Sequence, residues 1–238
     1  MSHPPLALFD LDHTLLAGDS DVLWCEFLIR HGLLPESQRQ RNAQMDAGYR
    51  SGAVGVAEFC GFYAGLLAGH GPAHWQPWRQ RFLVEEVLPR IPESARAVVE
   101  RHRRAGHRLV MSTATHRLIT EPTAQALGFA DLIATELECV DGRYTGRNAG
   151  LPNMRDGKPL RLRAWLAQAD AALGSGWGLD EAAVEAALAG ASFYSDSIND
   201  LPLLCAVGLP VVVDPDARLR AEAQARAWPV LGLHGAGA

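Results

Sequence analysis

A short apolar run that halts on two acids, Leu6-Ala7-Leu8-Phe9-Asp10-Leu11-Asp12, constrains this chain more than any other feature. Four apolar residues followed by carboxylates read as a buried strand with charge at its carboxyl end, and such strands belong to parallel sheets covered on both faces. The pattern recurs at 108–112, 132–135, 191–195 and 210–213. Helical periodicity lies between these runs, over 93–104, 116–127, 158–172, 180–188, 201–207 and 217–227, and Asp141-Gly142 marks a hairpin over 138–144. Strand-helix alternation predicts an α/β fold with a Rossmann-like parallel sheet core.

Residues 18–89 break the alternation. Val22, Leu23, Cys25, Phe27 and Leu28, then Phe59, Phe62, Tyr63, Leu66 and Leu67, follow helical spacing, and about four helices with no strand are expected. The chain therefore divides into a core, residues 1–17 and 90–238, and an inserted α-helical cap, residues 18–89. A length of 238 residues suits a domain plus an insertion.

Composition removes several classes of function. With 22 basic against 27 acidic side chains, no basic stripe interleaved with aromatics serves nucleic acid, and small or cationic partners are expected. No apolar stretch reaches the ~18 residues of a membrane span and the start carries no basic leader, so a cytoplasmic protein off the membrane is expected, as monomer or homodimer. Cys25, Cys60, Cys139 and Cys205 form no C-x-x-C pair, which predicts reduced, mostly buried thiols rather than a metal cluster.

Four clusters carry chemistry. Asp10-Leu11-Asp12-His13-Thr14 puts two carboxylates at the end of the first strand, where open α/β sheets gather ligands. Thr113, placed beyond the second core strand and before a helix, offers a hydroxyl, and Ala114 an amide, to a phosphate oxygen. Lys158 follows Gly157 at a helix start. Asp196-Ser197-Ile198-Asn199-Asp200 supplies two more carboxylates after a buried strand, a spacing suited to a magnesium site. Taken singly, each cluster also reads as a helix cap or a surface charge; the order of all four along the chain is what carries weight.

That order resembles the four motifs of the haloacid dehalogenase superfamily, and the helical insert with the Asp-Ser-Ile-Asn-Asp form of the last motif resembles its phosphoserine phosphatase-like branch. The resemblance covers nearly the whole chain, tightly at the motifs and loosely in the cap. It implies a Mg2+-dependent phosphomonoester hydrolase with Asp10 as nucleophile and Asp12 as general acid and base. It also implies Asp10, the Asp12 carbonyl and Asp196 as metal ligands, with Asp200 ordering metal-bound water, and Lys158, Thr113, Ala114 and Asn199 at the phosphate.

In the phosphoserine-specific members an acid shortly after the first motif meets the substrate amine and a cap arginine meets its carboxylate. Asp19 matches the acid. The cap stretch Glu58-Phe59-Cys60-Gly61-Phe62-Tyr63-Ala64-Gly65 holds no arginine, so an amine-bearing substrate without a carboxylate is expected, with a ring for Trp24, Phe59, Phe62 or Tyr63 to touch. Histidinol phosphate meets that description; phosphoserine is the alternative. Two other classes share these residues, a phosphotransferase or phosphomutase and a phosphorylation-dependent receiver module. His13 and His116 are expected to stand aside, His116 as a half-exposed residue opening a helix.

Overall fold

The computed structural model describes residues 3–168 and 177–235. Its centre is a seven-stranded sheet in the order β4-β3-β2-β1-β5-β6-β7. β1 (Leu6–Phe9) lies between β2 (Arg108–His116) and β5 (Ser192–Ser195), parallel to both. Outward from these run β3 (Asp131–Val140) on one side and β6 (Leu209–Val213) with β7 (Val230–Leu231) on the other, all parallel. β4 (Arg143–Ala149) is antiparallel, paired to β3.

All four β1 residues are buried, because both faces of the sheet are covered. Ala7 and Phe9 join one hydrophobic cluster and Leu6 and Leu8 the other, as the period of two along a strand requires. The chain leaves β1 for β2 on one side and returns to β5 on the other, so the strand order reverses at β1. A crevice opens at the carboxyl ends there, and Phe9 lies beside Tyr194 in register, which brings Asp10 next to the Asp196 loop.

The helices of the core are α5 (Glu93–Arg104), α6 (Arg117–Ala126), α7 (Gly157–Ala167), α8 (Glu181–Ala189), α9 (Leu201–Ala206) and α10 (Ala217–Ala225). The helix expected to run from Lys158 to residue 172 is described to Ala167, and its last expected turn, with residues 174–176 of the glycine-rich loop, lies outside the described residues.

Two expectations need correction. β2 does not stop at Ser112; it continues to His116 with a register shift between Ser112 and His116. Buried Asn153 holds that irregular stretch, its amide donating to Ser112 Oγ (3.1 Å), Thr113 O (3.0 Å) and Ile133 O (2.9 Å). His116 is consequently buried in the strand rather than half-exposed at a helix start, and its Nε2 meets Asn148 Oδ1 at 2.8 Å. The thiols divide evenly, with Cys25 and Cys60 buried but Cys139 and Cys205 exposed.

The regular elements of residues 20–90 are all helical: α1 (Ser20–Arg30), α2 (Gln38–Ser51), α3 (Val56–Gly65), α4 (Pro72–Phe82), a π turn over Leu83–Val87 and a 3-10 turn over Leu88–Arg90. Trp24, Phe27, Trp75 and Phe82 merge with the cluster on one sheet face. A second apolar group, Cys25, Ile29, Phe59, Cys60 and Tyr63, receives Met154 from the loop before α7. The β3–β4 hairpin, turned by Asp141 and Gly142 at positive φ, packs its second strand on α3.

Candidate active site

The crevice beyond β1 and β5 widens into a cavity of about 540 Å³ between the sheet and the helical insert. Lys158, in the first turn of α7, is 2 % exposed and lies at its floor. Its Nζ donates to Asp10 Oδ1 at 2.9 Å and to Asp200 Oδ2 at 2.6 Å, and Ser195 Oγ donates to the same Asp200 oxygen at 2.7 Å. Burial alone would lower the lysine pKa, but Asp10 and Asp200 raise it, so it stays charged. Across the crevice the Asp196 N–H donates to Thr14 Oγ1 (3.1 Å), whose hydroxyl lies 3.2 Å from Asp196 Oδ1.

The electrostatics of this floor favour a cation. Burial raises the Asp10 pKa to about 7 against the pull of Lys158, and burial with the charges of Asp10 and Asp200 raises Asp196 well above the carboxylate range. Three carboxylates face one ammonium, and an added divalent ion offsets the remainder. Among the described residues no three His, Cys, Asp or Glu side chains form a closed cage. Asp10 and Asp196, both at this floor, are the carboxylates that a hard ion keeping several of its waters would use.

Asp12 stands at the cavity wall with one donor on each oxygen: Ser20 N–H on Oδ1 (2.7 Å) and Thr115 Oγ1 on Oδ2 (2.9 Å). Asp19 caps α1 by accepting from Val22 N (3.0 Å) and also lines the cavity; burial and the Asp12 charge raise its pKa to about 7. Ala114 and Asn199 line it as well. Thr113 is set back from the cavity wall. The strand persists past it, so its side chain is fully buried and its hydroxyl accepts from Thr115 N (3.2 Å), while Ala114 and Thr115 form the wall. Asp200 is bound to Lys158 and Ser195 and thereby anchors the lysine.

On the insert side, the expected ring contacts reduce to Phe59. Trp24 and Tyr63 are core residues, and Phe62 packs in the insert cluster. Tyr49 of α2 joins Phe59 at the wall, ring centroids 4.3 Å apart. The stretch 58–65 brings no guanidinium, as its sequence requires, but Arg50 and Arg155 reach the cavity from outside it. Arg50 pairs with Asp46 (2.9 Å) and meets His13 Nε2 (3.3 Å), and Arg155 lies over the Tyr49 ring at 5.4 Å. Arg50 lies in the last turn of α2 and Arg155 in the loop before α7. Asp21 and Asp46 also line the cavity, and no motif or charge pattern in the sequence marks either of them.

The family profile described as haloacid dehalogenase-like hydrolase matches residues 7–204. The chain belongs to the haloacid dehalogenase-like hydrolases. It is 36% identical over 230 residues to a histidinol-phosphatase of Neisseria meningitidis, covering 96% of this chain and 98% of that one. A phosphoserine phosphatase of Mycobacterium tuberculosis is 30% identical over 230 residues, covering 94% of this chain and 69% of that one. Among solved structures, a protein of unknown function from Bordetella pertussis Tohama I superposes with a TM-score of 0.86 at 40% identity, over 98% of this chain and 100% of that one. A phospho-aspartyl intermediate analogue of phosphoserine phosphatase shares the fold, with a TM-score of 0.66 at 15% identity over 99% of this chain and 95% of that one. The haloacid dehalogenase-like chain is thus a phosphoric monoester hydrolase of the phosphoserine phosphatase-like branch. No described helix is long and apolar enough to cross a membrane.

Proposed function

We propose that this hydrolase cleaves a small amine-bearing phosphomonoester, with histidinol phosphate as the leading candidate, through an aspartyl-phosphate on Asp10. The observation that carries the reading is Lys158, a buried ammonium held between Asp10 and Asp200 on the cavity floor. Its charge serves a dianion arriving beside Asp10.

Phosphate monoesters hydrolyse so slowly in water that accelerations reach ~10²¹-fold, which favours a covalent route with strong charge compensation. An Asp10 carboxylate oxygen attacks phosphorus in line while the ester P–O bond breaks, and Asp12 gives its proton to the departing alkoxide. A water then attacks the phosphorus of the aspartyl-phosphate, Asp12 takes the water's proton, and phosphate leaves with Asp10 regenerated. Lys158, the Ala114 amide and Asn199 hold the phosphoryl oxygens. Asp10, the Asp12 carbonyl and Asp196 would hold Mg2+, which supplies charge neutralisation at the phosphoryl group when bound. Thr113 supports this wall from behind.

The insert, residues 18–89, selects the substrate in this reading. Asp19 meets the ammonium group, Asp46 adds negative charge, and Tyr49 and Phe59 offer ring faces to an imidazole. The full-length likeness to a histidinol-phosphatase supports the same choice. A specific observation favours phosphoserine as the second reading: Arg50 or Arg155 could turn to a carboxylate, although each already has a partner.

Inorganic phosphate release from histidinol phosphate, phosphoserine, phosphoethanolamine and sugar phosphates, with magnesium or EDTA, tests the proposal. Magnesium-dependent turnover of histidinol phosphate well above phosphoserine is expected. A preference for phosphoserine keeps the chemistry and overturns the substrate, and transfer to an alcohol without phosphate release overturns hydrolysis.

A further inference from the structure

We propose that Thr115, held in turn by Ser20 and Asp21, is the positioning residue that aims the Asp12 carboxyl at the leaving oxygen. The inference rests on the reading of Asp12 as general acid and extends it to three residues outside the four motifs.

Thr115 is 2 % exposed, and three oxygens surround its hydroxyl: Asp12 Oδ2 at 2.9 Å, Asp21 Oδ2 at 3.1 Å and Ser20 Oγ at 3.1 Å. A hydroxyl carries one proton and two lone pairs, so it can make all three bonds only by donating once and accepting twice. Ser20 Oγ donates to it. One of the two carboxyls must then receive the Thr115 proton, and the other must bring a proton of its own.

Asp21 is the group suited to bring it. It is 4 % exposed, and among the described residues no cation bonds to it and its Oδ1 has no partner. Burial foremost, then the charge of Asp19, raises its pKa well above the ordinary carboxylate value, and since the proton that Asp12 carries as general acid is owed to the leaving oxygen, the proton brought to Thr115 is assigned to Asp21. A neutral Asp21 donates to Thr115, Thr115 donates to Asp12 Oδ2, and every contact of the hydroxyl is used. The chain has a direction, from Asp21 through Thr115 to Asp12.

Together with Ser20 N–H on Oδ1, this fixes the plane of the Asp12 carboxyl from both oxygens. One donor comes from the first residue of α1 and the other from the end of β2, so neither a rotation of the carboxyl nor a shift of α1 is free. Orientation matters because displacements of about 1 Å at a reacting group can cost ~10²-fold in rate. The Thr115 methyl and Asp21 touch no reacting atom in this scheme; their effect runs through Asp12.

The test compares kcat/KM for an alkyl phosphomonoester, histidinol phosphate or phosphoserine, with p-nitrophenyl phosphate. An alkoxide must be protonated as it leaves, whereas p-nitrophenolate leaves without a proton. Thr115→Val is expected to lower kcat/KM on the alkyl ester by about 10-fold or more and on the aryl ester by less than about threefold, with Thr115→Ser restoring both. Asp21→Asn, which keeps a donor, should stay near wild type, while Asp21→Leu should copy Thr115→Val; this pair serves if the valine variant does not fold. Equal losses on both esters in Thr115→Val and Asp21→Leu, with Asp12→Asn still selective against the alkyl ester, overturn the positioning role alone. Asp12→Asn that slows both esters alike overturns the acid assignment and this inference with it.

Discussion

The two walls of the cavity are built by different rules. On the sheet side, Asp10, Asp196 and Asp200 stand at the ends of adjacent parallel strands, and one lysine joins two of them with bonds of 2.9 and 2.6 Å. On the insert side, Asp19, Asp46, Arg50, Tyr49 and Phe59 come from three helices, and their pairings are looser: Arg50 is exposed and its partner Asp46 lies one turn away on the same helix. Register in a buried sheet cannot slip by one residue without turning every side chain over, so the reacting groups are held rigidly. Helix packing tolerates such changes, and a wall made that way can vary in chemistry while the floor does not.

The comparison breaks first at Asp10. Asp10→Asn should abolish turnover of every phosphomonoester, by roughly 10⁴-fold or more; phosphate release above that floor with any ester would separate the chemistry from the sheet end. Lys158→Met comes next. A loss of ~10²–10³-fold in kcat, similar for all substrates, is expected in steady-state assays. The same variant leaves Asp10 and Asp200 without their counter-charge, and urea titration should show a loss of about 3 kcal/mol in stability. A Lys158→Met effect confined to one substrate would blur the two walls.

Asp19→Ala sharpens the comparison from the other side. Measured KM should rise about 10-fold or more for an amine-bearing ester, the worth of one charged hydrogen bond, while a sugar phosphate of similar size is unaffected. Equal changes for both would make Asp19 a structural cap of α1 and nothing more. The smallest effect is in the pH dependence of stability. With a folded pKa raised to about 7 from an ordinary 3.8, Asp19 favours the folded state below pH 4 and loses that contribution as pH rises through 7. Thermal midpoints should therefore fall over that window more steeply in the wild type than in Asp19→Asn, and parallel curves would contradict the raised value.

The difference between the walls also explains what could be read from the sequence. Strand periodicity and the spacing of Asp10, Asp12, Lys158, Asp196 and Asp200 are local patterns, and the structure brings all five to one crevice. The continuation of β2 through His116 was hidden because it depends on Asn153, some forty residues away, whose amide satisfies the irregular backbone. That extension is what turns Thr113 inward and sets Thr115 at the wall. Trp24 and Tyr63 looked equivalent to Phe59 on helical spacing, yet only tertiary packing decides which face of α1 or α3 meets the cavity. Arg155 reaches the site from a loop at positive φ before α7, for which no periodicity exists.

The stereochemical course at phosphorus tests the central claim most directly, that the phosphoryl group passes through Asp10. A thiophosphomonoester made chiral at phosphorus with two oxygen isotopes is hydrolysed in water carrying the third, and the configuration of the inorganic thiophosphate released is determined. Two successive in-line displacements, onto Asp10 and then onto water, predict net retention. Net inversion would mean that water attacks the substrate directly and that Asp10 is not the nucleophile.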